Sequence, residues 1–273
     1  MPAMDKEKIW TVLQASLEKA GALLTATLAE RNVVAHKTEL SLVTETDRRS
    51  EEAIVGTILS HFPDHAILTE ESPERGKSSY RWIIDPLDGT TNFAHTYPIA
   101  CVSIAFEDHG KITFGGVNDP FRGELFYAEK GGGAILNGLP LVVSQSPTLG
   151  TSLLATGFPY DRRQNADEYL ALFKALMMKA QGIRRTGAAA LDLAYVACGR
   201  FDGFWELKLR SWDVAAAALL VEEAGGKLSD FAGRPLTVSG PKTDWVPQIM
   251  ASNGFIHEEM AEVLKPFAAM GCE

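Results

Sequence analysis

The sequence predicts an α+β fold laid out in layers, and three observations carry that reading. Several stretches repeat apolar residues at helical spacing, which gives helices with one buried stripe. Five β-rich runs crowd together between residues 65 and 131, bounded by Gly, Pro or Asp, and strands grouped between helices favour layers over a regular βαβ alternation. No internal repeat, low-complexity tract or Pro/Ser-rich linker marks a boundary, so residues 1–273 are read as one domain.

The 273 residues are 46% hydrophobic, enough to fill a sizeable core. From Asp5 to about Glu30, Ile9, Leu13, Leu17, Leu24 and Leu28 mark one apolar stripe and predict a scaffold helix. Residues 31–45, "RNVVAHKTELSLVTE", keep no sustained period and predict an exposed, movable loop or a weak hairpin. Arg48 to His61 is helical again, with Ala53, Ile54, Val55, Ile58 and Leu59 inside and Pro63 marking its end. The runs "HAILTEE", "YRWIIDP", "IACVSIAFED", "KITFGGVND" and "GELFYAEKG" predict strands, three of them close enough in succession for an antiparallel meander. Beyond them, "ADEYLALFKALMMKA" and "GAAALDLAYVACG" are helical and "RFDGFWEL" is a short strand. "WDVAAAALLVEEAGG" is a helix stopped by paired glycines. "QIMASN" and "HEEMAEVLKPF" supply a last strand and a terminal helix.

A net charge of −9 argues against general nucleic-acid or anionic-membrane binding, because such partners meet repulsion over most of the surface. Cys101, Cys198 and Cys272 are odd in number and lack CxxC spacing, so they read as reduced thiols. The opening "MPAMDKEKIW" has no apolar core of signal-peptide length, and no later stretch reaches membrane-spanning length. The expectation is a soluble, cytoplasmic protein.

Carboxylates collect at the ends of apolar segments in four places: Asp47 in "VTETD", Glu70 and Glu71 in "ILTEES", Asp85 and Asp88 in "IIDPLDGTT", and Asp213 in "RSWDVAAA". Each has an ordinary explanation taken alone. Asp47 and Asp213 precede helical runs and could be N-caps. Asp85 with Pro86 could open a turn, and Glu70 with Glu71 could be a solvated strand end. Together they suggest more, since Mg²⁺ and similar hard cations prefer carboxylate and carbonyl oxygens and bridge substrate phosphates. The Pro86–Leu87 spacer predicts a sharp backbone turn that aims Asp85, the Leu87 carbonyl and Asp88 into one cavity. Gly89 and Thr90, opening the next element, would offer backbone N–H groups at a helix N-terminus, a natural phosphate position. Acids for metal beside donors for phosphate imply phosphoryl chemistry.

"TEES", "WIIDPLDGTTNF", "GIRRTGAAALDLAYVACG" and "FWELKLRSWDVAAAALLVEEAGG", in this order and spacing, closely resemble the inositol monophosphatase family of Mg²⁺-dependent, lithium-sensitive phosphatases. The likeness covers nearly the whole chain, including "GELFYAEKGGGAILNG" and the closing "ASN". It implies a layered αβαβα sandwich of the inositol monophosphatase and fructose 1,6-bisphosphatase type, a homodimer, and hydrolysis of a small phosphorylated polyol or sugar. Residue by residue, it implies that Glu70, Asp85 and the Leu87 carbonyl hold one Mg²⁺ while Asp85, Asp88 and Asp213 hold a second, with Glu70 supporting a weaker third. It implies further that Thr90, hydrogen-bonded to Asp47, orients or activates the attacking water, with Glu70 also part of the catalytic set. On the same basis the Gly89 and Thr90 amides cradle the phosphate, and Ala189 and Glu206 touch the hydroxyl-bearing part of the substrate, to which Asp88 and Asp213 lie close. Without the resemblance, Glu206 reads as a solvent-facing strand residue and Ala189 as helix packing.

The pattern departs from the family at Ser41, where an aspartate commonly precedes "LVT". Lys37 lies near the family's loop lysine, in a register the sequence leaves open. Arg184, Arg185 and Arg210 are assigned no role. "DPLDGTT" is superficially similar to the DxDGT signature of haloacid-dehalogenase-like phosphatases, but Asp85 and Asp88 stand three apart rather than two and lie far from the N-terminus. Inositol monophosphate is the leading substrate. Histidinol phosphate, fructose 1,6-bisphosphate and nucleotide phosphates are the alternatives, as is a regulatory binding protein that keeps the fold without catalysis.

Overall fold

The computed structural model describes residues 5–29, 34–36, 42–239 and 244–271. Helix α1 (Lys6–Thr27) starts where Asp5 accepts a hydrogen bond from the Lys8 amide at 3.0 Å, and it buries Ile9, Leu13, Leu17 and Leu24. Strands β1 (Val34–His36) and β2 (Leu42–Thr44) pair antiparallel, so the hairpin is the alternative that holds there. Lys37 and Ser41 lie outside the described residues. Helix α2 (Glu45–His61) follows directly.

Strands β3 (Ala66–Thr69) and β4 (Tyr80–Asp88) run parallel, and the short helix α3 (Thr90–Ala94) leads to β5 (Cys101–Asp108). The meander continues through β6 (Lys111–Asp119), β7 (Glu124–Glu129), β8 (Gly133–Leu136) and β9 (Leu139–Pro140), giving a seven-stranded sheet in chain order. The second half runs β10 (Leu153–Thr156), α4 (Ala166–Met177), β11 (Gly182–Arg184), α5 (Ala189–Ala197), β12 (Gly203–Arg210), α6 (Ser211–Glu223), β13 (Lys227–Ser229), β14 (Trp245–Ser252) and α7 (His257–Leu264). Its sheet has the order β11-β10-β12-β14-β13. Strands β8 to β11 and β13 have four residues or fewer, too few for a period to show in the sequence.

Five layers result. On the outer face of the large sheet, Ile9, Leu13 and Leu17 of α1 and Ile54 and Ile58 of α2 pack against Trp82, Ile84, Val102 and Phe106. The alternate residues Ile83, Ala105, Val117 and Phe126 face inward onto α5 and α6. Those helices also cover Phe204, Val246, Ile249 and Ala251 of the second sheet, whose far side packs through Trp205, Leu207 and Met250 on Tyr169, Leu172, Met260 and Leu264 of α4 and α7. The αβαβα sandwich is therefore present. Helix α6 is buried nearly all round, as its "VAAAALLV" run requires of a helix with no polar face.

Gly115 and Gly116 of β6 let helices close on both faces of the sheet at once. A Cβ on Gly115 would stand 2.7 Å from the Ala216 carbonyl oxygen of α6, and one on Gly116 would meet the Leu17 side chain of α1. Gly115→Val is expected to destabilise the protein by about 1–3 kcal/mol, because the contact is with backbone that cannot rotate aside. Urea unfolding checks this, and an unchanged midpoint would mean that α6 can draw away from β6.

Candidate active site

Two residues three apart in a regular strand point to opposite faces, so Asp85 and Asp88 need a local irregularity to act together. The structure supplies one. Asp85 pairs with Ser103 and Asp88 with Cys101, so the register shifts between them: three steps along β4 match two along β5. This is a β-bulge at the end of a continuous strand, and it replaces the sharp turn expected from Pro86 and Leu87. Ser103 and Cys101 share a face, and the bulge brings Asp85 and Asp88 to a common side. Asp85 Oδ1 accepts from the Leu87 amide at 3.0 Å, and Asp88 Oδ2 accepts from the Ala190 amide at the start of α5 at 2.7 Å.

Glu70 follows β3, whose last residue Thr69 lies beside Ile84, one position before Asp85. Asp213 enters from the other sheet, where β12 runs into α6. Neither Asp213 nor Asp47 is an N-cap; both stand at the third helical position. Asp213 Oδ2 accepts from the Arg210 amide at 2.6 Å. Asp47 Oδ2 accepts from the Thr44 amide at 2.8 Å and from the Thr44 hydroxyl, closing a capping box at the start of α2. Helices α2, α5 and α6 therefore all begin at the site and turn their positive ends toward the acids. Helix α3 has only five residues, so the Gly89 and Thr90 amides matter there more than any macrodipole. Gly89 sits at φ 92°, and a Cβ on it would come 2.8 Å from the Ile99 carbonyl oxygen.

The acids and their neighbours border one cavity of about 500 Å³. Glu70, Asp85, Asp88 and Asp213 line it together with Leu87, Gly89, Thr90, Ala189 and Glu206, Ala189 standing next to the Ala190 amide that holds Asp88. Glu206 is 9% exposed, which excludes the solvent-facing alternative. Asp47 is behind the wall, reached through Thr90: the Thr90 hydroxyl lies 3.1 Å from Asp47 Oδ1 and 3.1 Å from the Leu87 carbonyl oxygen.

Burial, and after it the charge of Glu70, Asp88 and Asp213, pushes the Asp85 carboxyl well above its usual range. Asp213 is raised by burial and then by Glu70, against the Arg210 amide, and Asp88 is pushed up to about 7, mainly by burial. Asp47 and Glu206 are raised chiefly by burial as well, with Arg185 opposing the shift at Glu206. Acids that repel one another around one cavity are suited to a cation, and their oxygens are hard donors of the kind Mg²⁺ prefers. Among the described residues, no three His, Cys, Asp or Glu groups close into a ready cage. An open set of that kind suits an ion that completes its shell with water and substrate oxygens.

Sequence reasoning missed the far wall. Residues 158–162, "FPYDR", line the cavity, and no periodic or motif signal pointed to them; Lys208 and Arg185, which also line it, fall inside the family-like motifs but carried no assigned role. Asp161 accepts from Lys208 Nζ at 2.5 Å, the Tyr169 hydroxyl at 2.7 Å and Asn165 Nδ2 at 2.9 Å. Lys208 takes a left-handed backbone at φ 58°, unusual for a residue with a side chain. Arg210 is already engaged, with Asp244 at 3.3 Å and the Trp245 ring beneath it, and Arg184 is not among the cavity residues.

The profile of the inositol monophosphatase family matches residues 5–266. The chain is 48% identical over 225 residues to an inositol-1-monophosphatase of Synechocystis sp., covering 82% of this chain and 76% of that one. It is also 48% identical over 222 residues to the Nus factor SuhB of Pseudomonas aeruginosa, covering 78% and 82%. The crystal structure of the extragenic suppressor protein suhB from Bartonella henselae superposes with a TM-score of 0.88 at 39% identity, covering 94% of this chain and 98% of that one.

The crowded carboxylates make stability depend on pH. Asp85, Asp88 and Asp213 have folded values above their unfolded ones, so their contribution is full at low pH and is lost as pH rises through the folded values, about 7 for Asp88. In chelator, the melting temperature is expected to fall as pH rises from about 4, near the unfolded carboxylate value, through about 7, and an added divalent cation should flatten that fall. Identical slopes with and without cation would exclude carboxylate repulsion as the cause.

Proposed function

The chain belongs to the inositol monophosphatase family, and on that footing we propose that it is a Mg²⁺-dependent phosphate-monoester hydrolase whose first substrate is an inositol monophosphate. The observation that carries the reading is the bulge in β4, which turns two acids three apart to one side of a cavity that Glu70 and Asp213 also enter. Glu70, Asp85 and the Leu87 carbonyl are assigned to one ion and Asp85, Asp88 and Asp213 to a second, with Glu70 available to a weaker third. Bound Mg²⁺ supplies Lewis acidity, which lowers the pKa of water and neutralises charge on phosphoryl and leaving oxygens.

The protein's own groups do the rest. With its proton on Asp47, the Thr90 hydroxyl has lone pairs free to accept from the attacking water and so to orient it in line with phosphorus. The water's proton can pass through the Thr90 oxygen to Asp47, whose raised affinity for protons suits the task. The Gly89 and Thr90 amides donate to phosphate oxygens. One oxygen each of Asp88 and Asp213 stays tied to a backbone amide, that of Ala190 for Asp88 and that of Arg210 for Asp213, which restrains these side chains from rotating. No covalent phosphoenzyme is required.

On the substrate side, Glu206 can accept from polyol hydroxyls beside Ala189. Its buried acid disfavours a second phosphate at that position, which supports a monophosphate over fructose 1,6-bisphosphate. Lithium sensitivity, a homodimer and a cytoplasmic location complete the proposal. Among the described residues no helix is long and apolar enough to cross a membrane. A second role through partner contacts is favoured by the name Nus factor borne by close relatives, and the intact set of acids lets such a role coexist with catalysis.

Purified protein is expected to release phosphate from inositol 1-phosphate with Mg²⁺ and not with chelator, ahead of histidinol phosphate, fructose 1,6-bisphosphate and nucleotide phosphates in kcat/KM. Absence of release from every sugar and polyol phosphate would favour the binding protein instead. Asp88→Asn and Asp213→Asn should each lower kcat by more than about a hundredfold, beyond the usual loss from an outer-sphere change, while circular dichroism stays unchanged. Near-normal turnover by folded Asp88→Asn protein would remove that residue from the centre.

A further inference from the structure

The face of α2 that carries Asp47 carries two more buried polar residues, three and four positions on. Ser50 donates to the Pro86 carbonyl oxygen inside the bulge at 2.7 Å. Glu51, 8% exposed, accepts three hydrogen bonds from the chain around Glu70: from the Thr69 hydroxyl at 2.7 Å, from the Glu71 amide at 3.2 Å, and from the Ser72 hydroxyl. The donors bracket Glu70, one just before it and two just after it.

That bracket answers a mechanical need. Asp85 and Asp88 belong to β4 and Asp213 to the first turn of α6, so their backbones are held by regular hydrogen bonding. Glu70 lies one residue past the end of β3, where its amide still donates to the Ile84 carbonyl oxygen at 3.3 Å, and the other three carboxylates push on its side chain. Rotation of the backbone on either side of Glu70 would let its half-buried side chain swing toward solvent. Three hydrogen bonds converging on one buried side chain of α2 can resist that swing.

We propose that Glu51 is a positioning residue that fixes residues 69–72 so that the Glu70 carboxylate stays turned into the cavity, and that Glu51 thereby sets the affinity for the cation at Glu70. The inference rests on the reading of Glu70 as a cation ligand. Glu51 touches neither cation nor substrate. A simple staple between α2 and the loop would contribute to stability alone, whereas a positioning residue changes how much Mg²⁺ the protein needs.

The test strips the full-length protein with chelator and titrates Mg²⁺ without substrate, following heat by calorimetry and the melting temperature. Glu51→Ala is expected to raise the half-saturating Mg²⁺ concentration by about tenfold or more, the usual reach of outer-sphere changes, with kcat at saturating Mg²⁺ within a few-fold of wild type. Glu51→Gln should restore wild-type binding: its carbonyl can accept from Thr69 and Glu71 while the Ser72 hydroxyl turns to accept from its amide. Ser72→Ala, at an exposed position, should raise the Mg²⁺ requirement less, and should add nothing in the Glu51→Ala background. Wild-type Mg²⁺ affinity in Glu51→Ala overturns the proposal, even if that variant melts earlier; if it does not fold, unchanged affinity in Ser72→Ala overturns it instead. Glu70→Gln separates the two levels. Should it leave Mg²⁺ binding intact, the ligand reading fails and the inference with it; should it weaken binding while Glu51→Ala does not, only the inference fails.

Discussion

Like charges held together out of water are the constraint that organises this molecule. Glu70, Asp85, Asp88 and Asp213 border one cavity, and burial adds to their mutual repulsion. A chain free to relax would spread them apart. The fold prevents this by tying three of them to backbone amides: Leu87 for Asp85, Ala190 for Asp88 and Arg210 for Asp213. Backbone donors suit the task because they cannot rotate away as a lysine or arginine side chain could. They also leave the mutual repulsion in place, opposed at Asp213 by the nearby Arg210 charge, and on the proposed reading a bound cation would relieve it.

The layered architecture follows from where those amides must stand. Asp85 and Asp88 come from the end of β4 in the large sheet and Asp213 from the first turn of α6, just after β12 of the other, so strand ends from both layers have to open onto the same site. Helix α6 between them makes that possible, since it packs on β6 through the gap left by Gly115 and carries Asp213 in its first turn. Its alanine-rich sequence keeps the layers close. A bulkier middle layer would move Asp213 away from Asp85, and the acids would no longer share one cavity. Packing deep in the core and electrostatics at the edge are thus one design.

Much of this was legible in the sequence, for identifiable reasons. Long periodic segments gave α1, α4, α5, α6 and the strands β4 to β7, because each buries one face or all faces over many residues. The acids stood out because ionised groups at the ends of apolar runs need a partner. What stayed hidden was geometry that residue identity does not encode. Pro86 and Leu87 suggested a turn, whereas β4 keeps its pairing with β5 and absorbs the extra residue as a bulge. Asp47 and Asp213 looked like N-caps but sit three residues later, where the same carboxylate reaches back to an amide and still has an oxygen to spare. Nothing in the sequence marks Glu51. Only the approach of residues 69–72 makes it a buried acceptor.

The two walls of the cavity are built on different principles, and this separates chemistry from selectivity. The acidic wall is made of strand ends and helix starts, with its donors in the backbone. The opposite wall, residues 158–162, is a loop whose place depends on the three side-chain bonds to Asp161, one from Lys208 in a left-handed conformation. Between them, Glu206 fits only because residue 157 is glycine: a Cβ there would overlap its carboxylate. Side-chain bonds in a loop can be exchanged without moving a sheet, and loops carry specificity on rigid scaffolds for that reason. Within a shared sandwich, the acids can therefore stay fixed while the loop changes, so on the proposed reading the choice of phosphate ester would fall to residues 158–162, Glu206 and Lys208 rather than to the motifs that mark the family.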